Sequence, residues 1–273
     1  MYRHYVAIDA QQFSEIRKKI PRKLSKEDWQ EIEQCLKRHW SPETIVGVRK
    51  REGKTCVSIE WIYHIIRRDK ERGGILYTYL PHHLKHRKKP VSSRIPIKDR
   101  VSIDERPAVV DSKSRFGDWE LDTIVGKDGK GAIITLVERT TKKMLMAKSP
   151  KGKNAKAVAK VVVQLLRPFE RHVLSITTDN GTEFAEHKYI AKKLHTKIYF
   201  THPYSSWEKG LIENTNKLIR QYIPKNTDFS SLSDDYILFV QTELNLRPRK
   251  YLDFSSPKQK FLLSLHNSVA LRG

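Results

Sequence analysis

Trp119-Glu-Leu-Asp-Thr-Ile-Val125 decides the fold, together with a later stretch, Val173-Leu-Ser-Ile-Thr-Thr178, that runs into Asp179-Asn180-Gly181. In the first, Trp119, Leu121 and Thr123 alternate with Glu120, Asp122 and Ile124, the period-two pattern of a strand. The second is a short strand closed by an Asn-Gly turn, which exposes the strand-end side chain. Between them, residues 131–136 and 143–147 read as two further strands with a turn around Thr140-Thr141. Residues 154–166 then set Ala157, Val158, Val161, Val162 and Leu165 on the apolar side of a helix. Beyond Gly181 the pattern predicts a helix over 184–194, a strand over 197–201, a loop with Gly210, and helices over 212–222 and 234–244. Three strands, then helix, strand, helix, strand and further helices is an α/β order without internal repeats.

Working outward, residues 24–74 read as a compact helical unit. Ser25 caps a first helix, with Asp28 in the capping-box position and Leu24 and Trp29 as a hydrophobic staple. Trp29, Ile32, Leu36 and Trp40 form its buried stripe. Ser41-Pro42-Glu43 starts a second helix that stops at Gly53. Ser58 caps a third, with Ile59, Ile62, Tyr63 and Ile66 inward and Trp61, His64, Arg67 and Arg68 elsewhere on its surface. Helix, short turn, helix with a basic outer face is the outline of a helix-turn-helix, which places Arg67 and Arg68 as DNA contacts. Residues 75–115, rich in proline, serine and charge, read as a basic linker. Its His82, His83 and His86 belong to a cationic run that would oppose a divalent ion.

The chain has 273 residues with 53 Lys+Arg against 31 Asp+Glu, a formal charge of +22, and a hydrophobic fraction of 38%. That apolar content excludes a largely disordered chain, and no run is long enough to span a membrane. Residues 1–116 carry 27 basic and 15 acidic side chains (+12), and residues 117–273 carry 26 and 16 (+10), so both halves suit a polyanionic partner. Cys35 and Cys56 build neither a disulfide framework nor a zinc-finger spacing, and two reduced thiols in a cytoplasm are expected.

Three carboxylates occupy telling places. Asp122 lies inside a strand, where a carboxylate needs a cation or donors. Asp179 ends a strand, and Glu213 stands at the start of a helix, 34 positions later (213 − 179). Such a set converging on two divalent ions is what phosphodiester chemistry requires. Asp118 is expected to be solvated, while Glu120 shares the face of Asp122 and rivals it.

Longer motifs connect these acids. Ser114-Arg-Phe-Gly-Asp-Trp-Glu-Leu-Asp-Thr-Ile-Val-Gly126, Leu136-Val-Glu-Arg-Thr140, Thr178-Asp-Asn-Gly-Thr-Glu-Phe184, Pro203-Tyr-Ser-Ser-Trp-Glu-Lys-Gly210, Glu213-Asn-Thr-Asn-Lys-Leu-Ile-Arg-Gln-Tyr222 and Leu246-Arg-Pro-Arg-Lys250 occur in that order. With Val101-Ser-Ile-Asp-Glu-Arg-Pro107 before them, they closely resemble bacterial transposases of the insertion-sequence-30 family.

The resemblance implies an RNase H-like, integrase-type domain over residues 116–273, a mixed five-stranded sheet flanked by helices, following the helix-turn-helix domain. Asp122, Asp179 and Glu213 would be the catalytic Asp-Asp-Glu triad holding two Mg²⁺, with Mn²⁺ able to substitute. The implied reaction is cleavage at terminal inverted repeats and direct attack of the 3′ end on target DNA, by a homo-multimer near the bacterial nucleoid. A transposase-derived DNA-binding regulator or a defective truncated copy is the alternative. Members carry a further N-terminal helix-turn-helix, so residues 1–23 are expected to be its remnant. Lys209, Lys217 and Arg220 share the loop and helix of Glu213 and either contact phosphate or form a solvated basic face. Arg139 is either kept for function or part of a structural ion pair, and Trp207 either stacks on a base or serves as core or lid.

Overall fold

The computed structural model describes residues 24–80, 97–203 and 205–270. Residues 1–23 and His82, His83 and His86 lie outside them. The chain divides into two compact units, residues 1–80 and 81–273.

The first unit contains α1 (Lys26–Lys37), α2 (Pro42–Arg51) and α3 (Ile59–Glu71), each begun by a serine. Ser25 Oγ accepts the Asp28 amide at 3.0 Å and the Asp28 carboxylate accepts the Ser25 amide at 3.3 Å, the reciprocal pair of a capping box. Ser41 and Ser58 accept from the amides of Thr44 and Trp61. After α2 the chain turns at Gly53 with φ +67°, a conformation suited to glycine. Ile32, Leu36, Ile45, Val46, Ile62, Ile66 and Leu76 make the core. Ile59, expected inside, is 37% exposed, because it follows the cap directly and lies before the first turn closes on the core. Buried Arg49 locks α2 to α1: it pairs with Asp28 and, at 2.6 Å, with Glu31, and its Nε donates to the Thr55 carbonyl at 2.8 Å. Trp61, His64, Arg67 and Arg68 are all exposed.

The second unit is a mixed sheet flanked by helices. Its strands are β1 (Val101–Ser102), β2 (Asp118–Val125), β3 (Ala132–Glu138), β4 (Met144–Ser149), β5 (Ser175–Thr178) and β6 (Lys197–Phe200), in the order β1-β6-β5-β2-β3-β4. β2, β3 and β4 pair antiparallel, and β5 and β6 continue parallel beside β2. Five of these strands are the expected ones. The sixth, β1, pairs in parallel with β6 through Val101 and Ser102. This corrects the linker reading for residues 97–115. Ile97 and Val110 are buried there, Arg106 donates to Thr177 Oγ1 at 2.9 Å and pairs with Asp111, and a short helix, α4 (Ala108–Asp111), follows. Proline and charge hid the few apolar anchors that fix this segment to the sheet.

The helices are α5 (Ala155–Leu166), α6 (His187–Leu194), α7 (Gly210–Tyr222), α8 (Asp234–Leu246) and α9 (Pro257–Ala270). Alternation along β2 and β3 separates two cores. Trp119, Leu121, Ile134 and Leu136 pack with Val158 and Val162 of α5, Ile190 of α6 and Phe261 of α9. Ile124, Ile133 and Val137 pack with Ile212 and Ile219 of α7 and Val240 and Leu244 of α8. The outer edge, β4, is closed by α8: Asn245 accepts the Met144 amide at 2.9 Å and donates to its carbonyl at 2.8 Å, and Gln241 accepts the Met146 amide at 2.7 Å. Side-chain amides thus satisfy the backbone groups an edge strand leaves open. No helix among the described residues is long and apolar enough to cross a membrane.

Candidate active site

Asp118, Glu120 and Asp122 fall on one face of β2, the face covered by α7 and α8. Burying three carboxylates in a row demands a partner for each. Asp118, expected to be solvated, is 1% exposed: Arg115 grips it through two bonds of 2.9 and 2.7 Å, and Ser175 Oγ donates to it at 2.5 Å. The correction has a local cause, since Arg115 lies just before the strand and folds back over it. Glu120 is equally buried. Its Oε1 accepts from Arg139 at 2.7 Å, and its Oε2 accepts the amide of Ile212 at 2.9 Å. Both oxygens are committed, to a structural ion pair and to the first turn of α7, so Glu120 anchors the helix that carries Glu213. Arg139 is the structural partner. Its neighbour Glu138, also buried, accepts amides from Gly117, Thr140 and Thr141 and so fixes the β3–β4 turn.

Asp122 is handled differently. Its Oδ2 accepts from Asn216 Nδ2 at 2.8 Å, while its Oδ1 faces the Lys209 ammonium at 3.3 Å. The parallel register pairs Asp118 with Ser175 and Glu120 with Thr177, a constant offset of 57. The same offset from Asp122 reaches Asp179 (122 + 57), just past the end of β5. Asp179 accordingly stands beside Asp122, and its Oδ2 is 3.3 Å from the same Lys209 ammonium. Its Oδ1 accepts the Gly181 amide at 2.9 Å, closing the Asp-Asn-Gly turn. A side chain at Gly181 would press on Glu183 and on Asp179 itself.

Two carboxylates therefore share one cation. The Lys209 side chain is 4% exposed, against 20% for Asp122 and 36% for Asp179. Burial pushes the Asp122 carboxyl above the usual range, with Lys209 opposing that rise and Asp179 adding to it. Burial works against the charge on Lys209, but the two facing carboxylates prevail and raise its pKa.

Glu213 lies in the first turn of α7, half-buried. Among the described residues no group of three or more His, Cys, Asp or Glu side chains gathers closely enough to hold a metal. The structure thus joins Asp122 to Asp179 and leaves Glu213 outside a three-acid group. The donor chemistry still fits a divalent cation: hard oxygen ligands of Asp122 and Asp179 meet on the Lys209 ammonium, one positive charge facing two carboxylates.

The expected DNA contacts divide. Lys217 is exposed on α7, as are Arg67, held by Glu60 at 2.5 Å, and Arg68 on α3. Arg220 instead donates to the carbonyls of Val125 at 2.9 Å and Pro224 at 3.2 Å and lies 5.8 Å over Phe229, so it ties α7 to the end of β2. Lys209 points into the acid pair. The side chain of Trp207 lies outside the described ones. Asn216, which sequence reasoning passed over, both orients Asp122 and accepts from Thr135 Oγ1 at 3.2 Å. Its position three residues after Glu213, one turn along the same helix face, is the signal that would have found it.

Residues 113–206 match the family described as the integrase core domain. The chain is 48% identical over 243 residues to the transposase for insertion sequence element IS4351 of Bacteroides fragilis, covering 88% of this chain and 74% of that protein. It is 32% identical over 238 residues to the transposase InsI for insertion sequence element IS30A of Escherichia coli K12, covering 82% and 61%. Among solved structures it is similar to the catalytic core domain of BIV integrase, with a TM-score of 0.45 at 20% identity over 56% of this chain and 98% of that one. The chain belongs to the insertion-sequence-30 family of bacterial transposases, DNA transposases that act in transposition and recombination through an integrase-type core.

Proposed function

We propose that Asp122, Asp179 and Glu213 form the catalytic Asp-Asp-Glu set of this polynucleotidyl transferase and hold two Mg²⁺, or Mn²⁺, during cleavage and joining of element ends. The observation that carries the reading is the shared cation: Asp122 and Asp179, brought level by the β2–β5 register, meet on one ammonium. Divalent ions bound there supply activation of the attacking oxygen and stabilisation of the leaving one. The chain's own residues do the rest. Asn216 fixes one oxygen of Asp122 while the other faces the ammonium shared with Asp179. Glu120, by holding the Ile212 amide, anchors the first turn of α7, the turn that carries Glu213. Lys217 on α7 and Arg67 and Arg68 on α3 present cations to the backbone of double-stranded DNA, terminal inverted repeats and target alike. Residues 24–74 are the helix-turn-helix module that reads the ends. A homo-multimer assembles on the DNA, which brings two ends together.

The test is joining of a pre-cut DNA carrying candidate ends to a supercoiled target, with Mg²⁺, Mn²⁺ or EDTA. Joining that needs metal and is lost in Asp122→Asn, Asp179→Asn and Glu213→Gln, with DNA binding retained, supports the set. Unchanged joining in any of the three removes that residue from it. DNA binding without joining under either metal would favour a regulator.

A further inference from the structure

The arrangement at Lys209 carries an inference that rests on this reading of Asp122 and Asp179 as metal ligands. We infer that Lys209 is an internal placeholder cation, which holds the two aspartates together in the metal-free chain and has to leave when a divalent ion enters. The ammonium lies 3.3 Å from an oxygen of each. A divalent ion coordinated to those oxygens needs distances of roughly 2.0–2.1 Å for Mg²⁺, so ammonium and metal cannot share the point.

Charge gives the direction of exchange. One ammonium against two carboxylates leaves a net −1, whereas a divalent ion balances them fully. Without any cation, two neighbouring carboxylates of 20% and 36% exposure would repel each other. Lys209 is thus a positioning residue that keeps the pair pre-formed and competes with the ion it is pre-formed for.

Departure of Lys209 requires only a short segment to shift. Lys209 ends the short turn Ser206–Lys209 and precedes Gly210, the first residue of α7, where an added side chain would meet open space. Lys209 itself, at the N-cap of α7, makes no side-chain cap. Glu208 is tied to exposed His202 at 2.7 Å, and His202 to Asp104 at 3.0 Å, contacts that solvent screens. The turn can shift while Glu120 keeps Ile212, and hence α7, in place. Metal entry then frees a cation beside the acid pair, where the phosphate backbone arrives.

The test uses the purified full chain without DNA and follows free Mn²⁺ by electron paramagnetic resonance. Lys209→Met and Lys209→Gln are expected to bind Mn²⁺ more tightly than the wild type, by about tenfold or more, because a competing unit charge has gone. A lost packing contact alone would weaken binding. On the unaltered chain, brief acetylation of amines read by mass spectrometry is expected to spare Lys209 without metal and to label it severalfold more with Mn²⁺. That readout stands whether or not the variants fold. Mn²⁺ binding that is unchanged or weaker in folded variants, or Lys209 labelling indifferent to Mn²⁺, overturns the placeholder role alone. Absence of Mn²⁺ binding in the wild type and in the variants alike overturns the metal reading of Asp122 and Asp179 with it.

Discussion

The two ends of one strand face treat carboxylates in opposite ways. At the start of β2, Asp118 and Glu120 each have a guanidinium of their own, Arg115 and Arg139, and further donors complete their shells. At Asp122 two carboxylates share one ammonium, and both remain partly open to solvent. The first arrangement gives each acid its own partner and builds structure; the second sets two acids on one ammonium, an arrangement suited to receiving a further cation. What separates Asp122 from its rival Glu120 is how its charge is met as well as its burial, Glu120 being the more buried of the two.

The largest effect that would break this contrast is on chemistry. With Asp179 as a metal ligand, as proposed, Asp179→Asn is expected to lower joining by on the order of 10³-fold or more while melting at or near the wild-type temperature. A variant that joins normally, or that unfolds, would put Asp179 on the structural side.

Glu120→Ala should show the converse. It strands Arg139 and the Ile212 amide in a dry interior and is expected to cost about 3–5 kcal/mol in denaturant unfolding. Replacing both partners, as Glu120→Leu with Arg139→Met, should recover much of that loss, because neither charge is left alone. If the double variant is as unstable as the sum of the singles, the pair is not coupled as described.

A smaller loss, about 1–3 kcal/mol, is expected for Asn245→Ala, which opens the amide and carbonyl of Met144 at the β4 edge. Hydrogen exchange at Met144 should accelerate with it; unchanged protection would show that α8 covers the edge by packing alone.

The smallest effect concerns pH. Hydrogen bonds that the His202 ring donates to Glu208, then to Asp104, hold it above its ordinary value near 6.5. Its contribution is therefore complete below that value and fades as pH rises through the raised one. The melting difference between wild type and His202→Gln should shrink in that window, and a difference that grows with pH would reverse the assignment.

Local patterns carried much of this into the sequence. Ser25, Ser41 and Ser58 could be read as caps because a cap is made within three residues. The alternation along 119–125 and the Asp-Asn-Gly turn could be read because a strand and a turn are written in adjacent side chains. Asp122 was legible as an acid placed where an acid is costly, and Asp179 and Glu213 by the strand end and helix start they occupy. Illegible were the partners. Arg139 meets Glu120 from 19 positions away, and Lys209 meets Asp122 from 87. Residues 97–115 looked like linker and α9 was not read at all, because the surfaces that bury Ile97, Val110 and Phe261 belong to other elements.

The sequence by itself determined most of the elements, their order and which side chains are acidic where a strand ends or a helix begins, since these depend on steric and hydrogen-bonding rules acting over a few residues. Only the tertiary structure decided which acid is finished by a guanidinium and which is left sharing a cation. That choice depends on distances between strands and helices far apart in the chain, set by the β2–β5 register and the seating of α7.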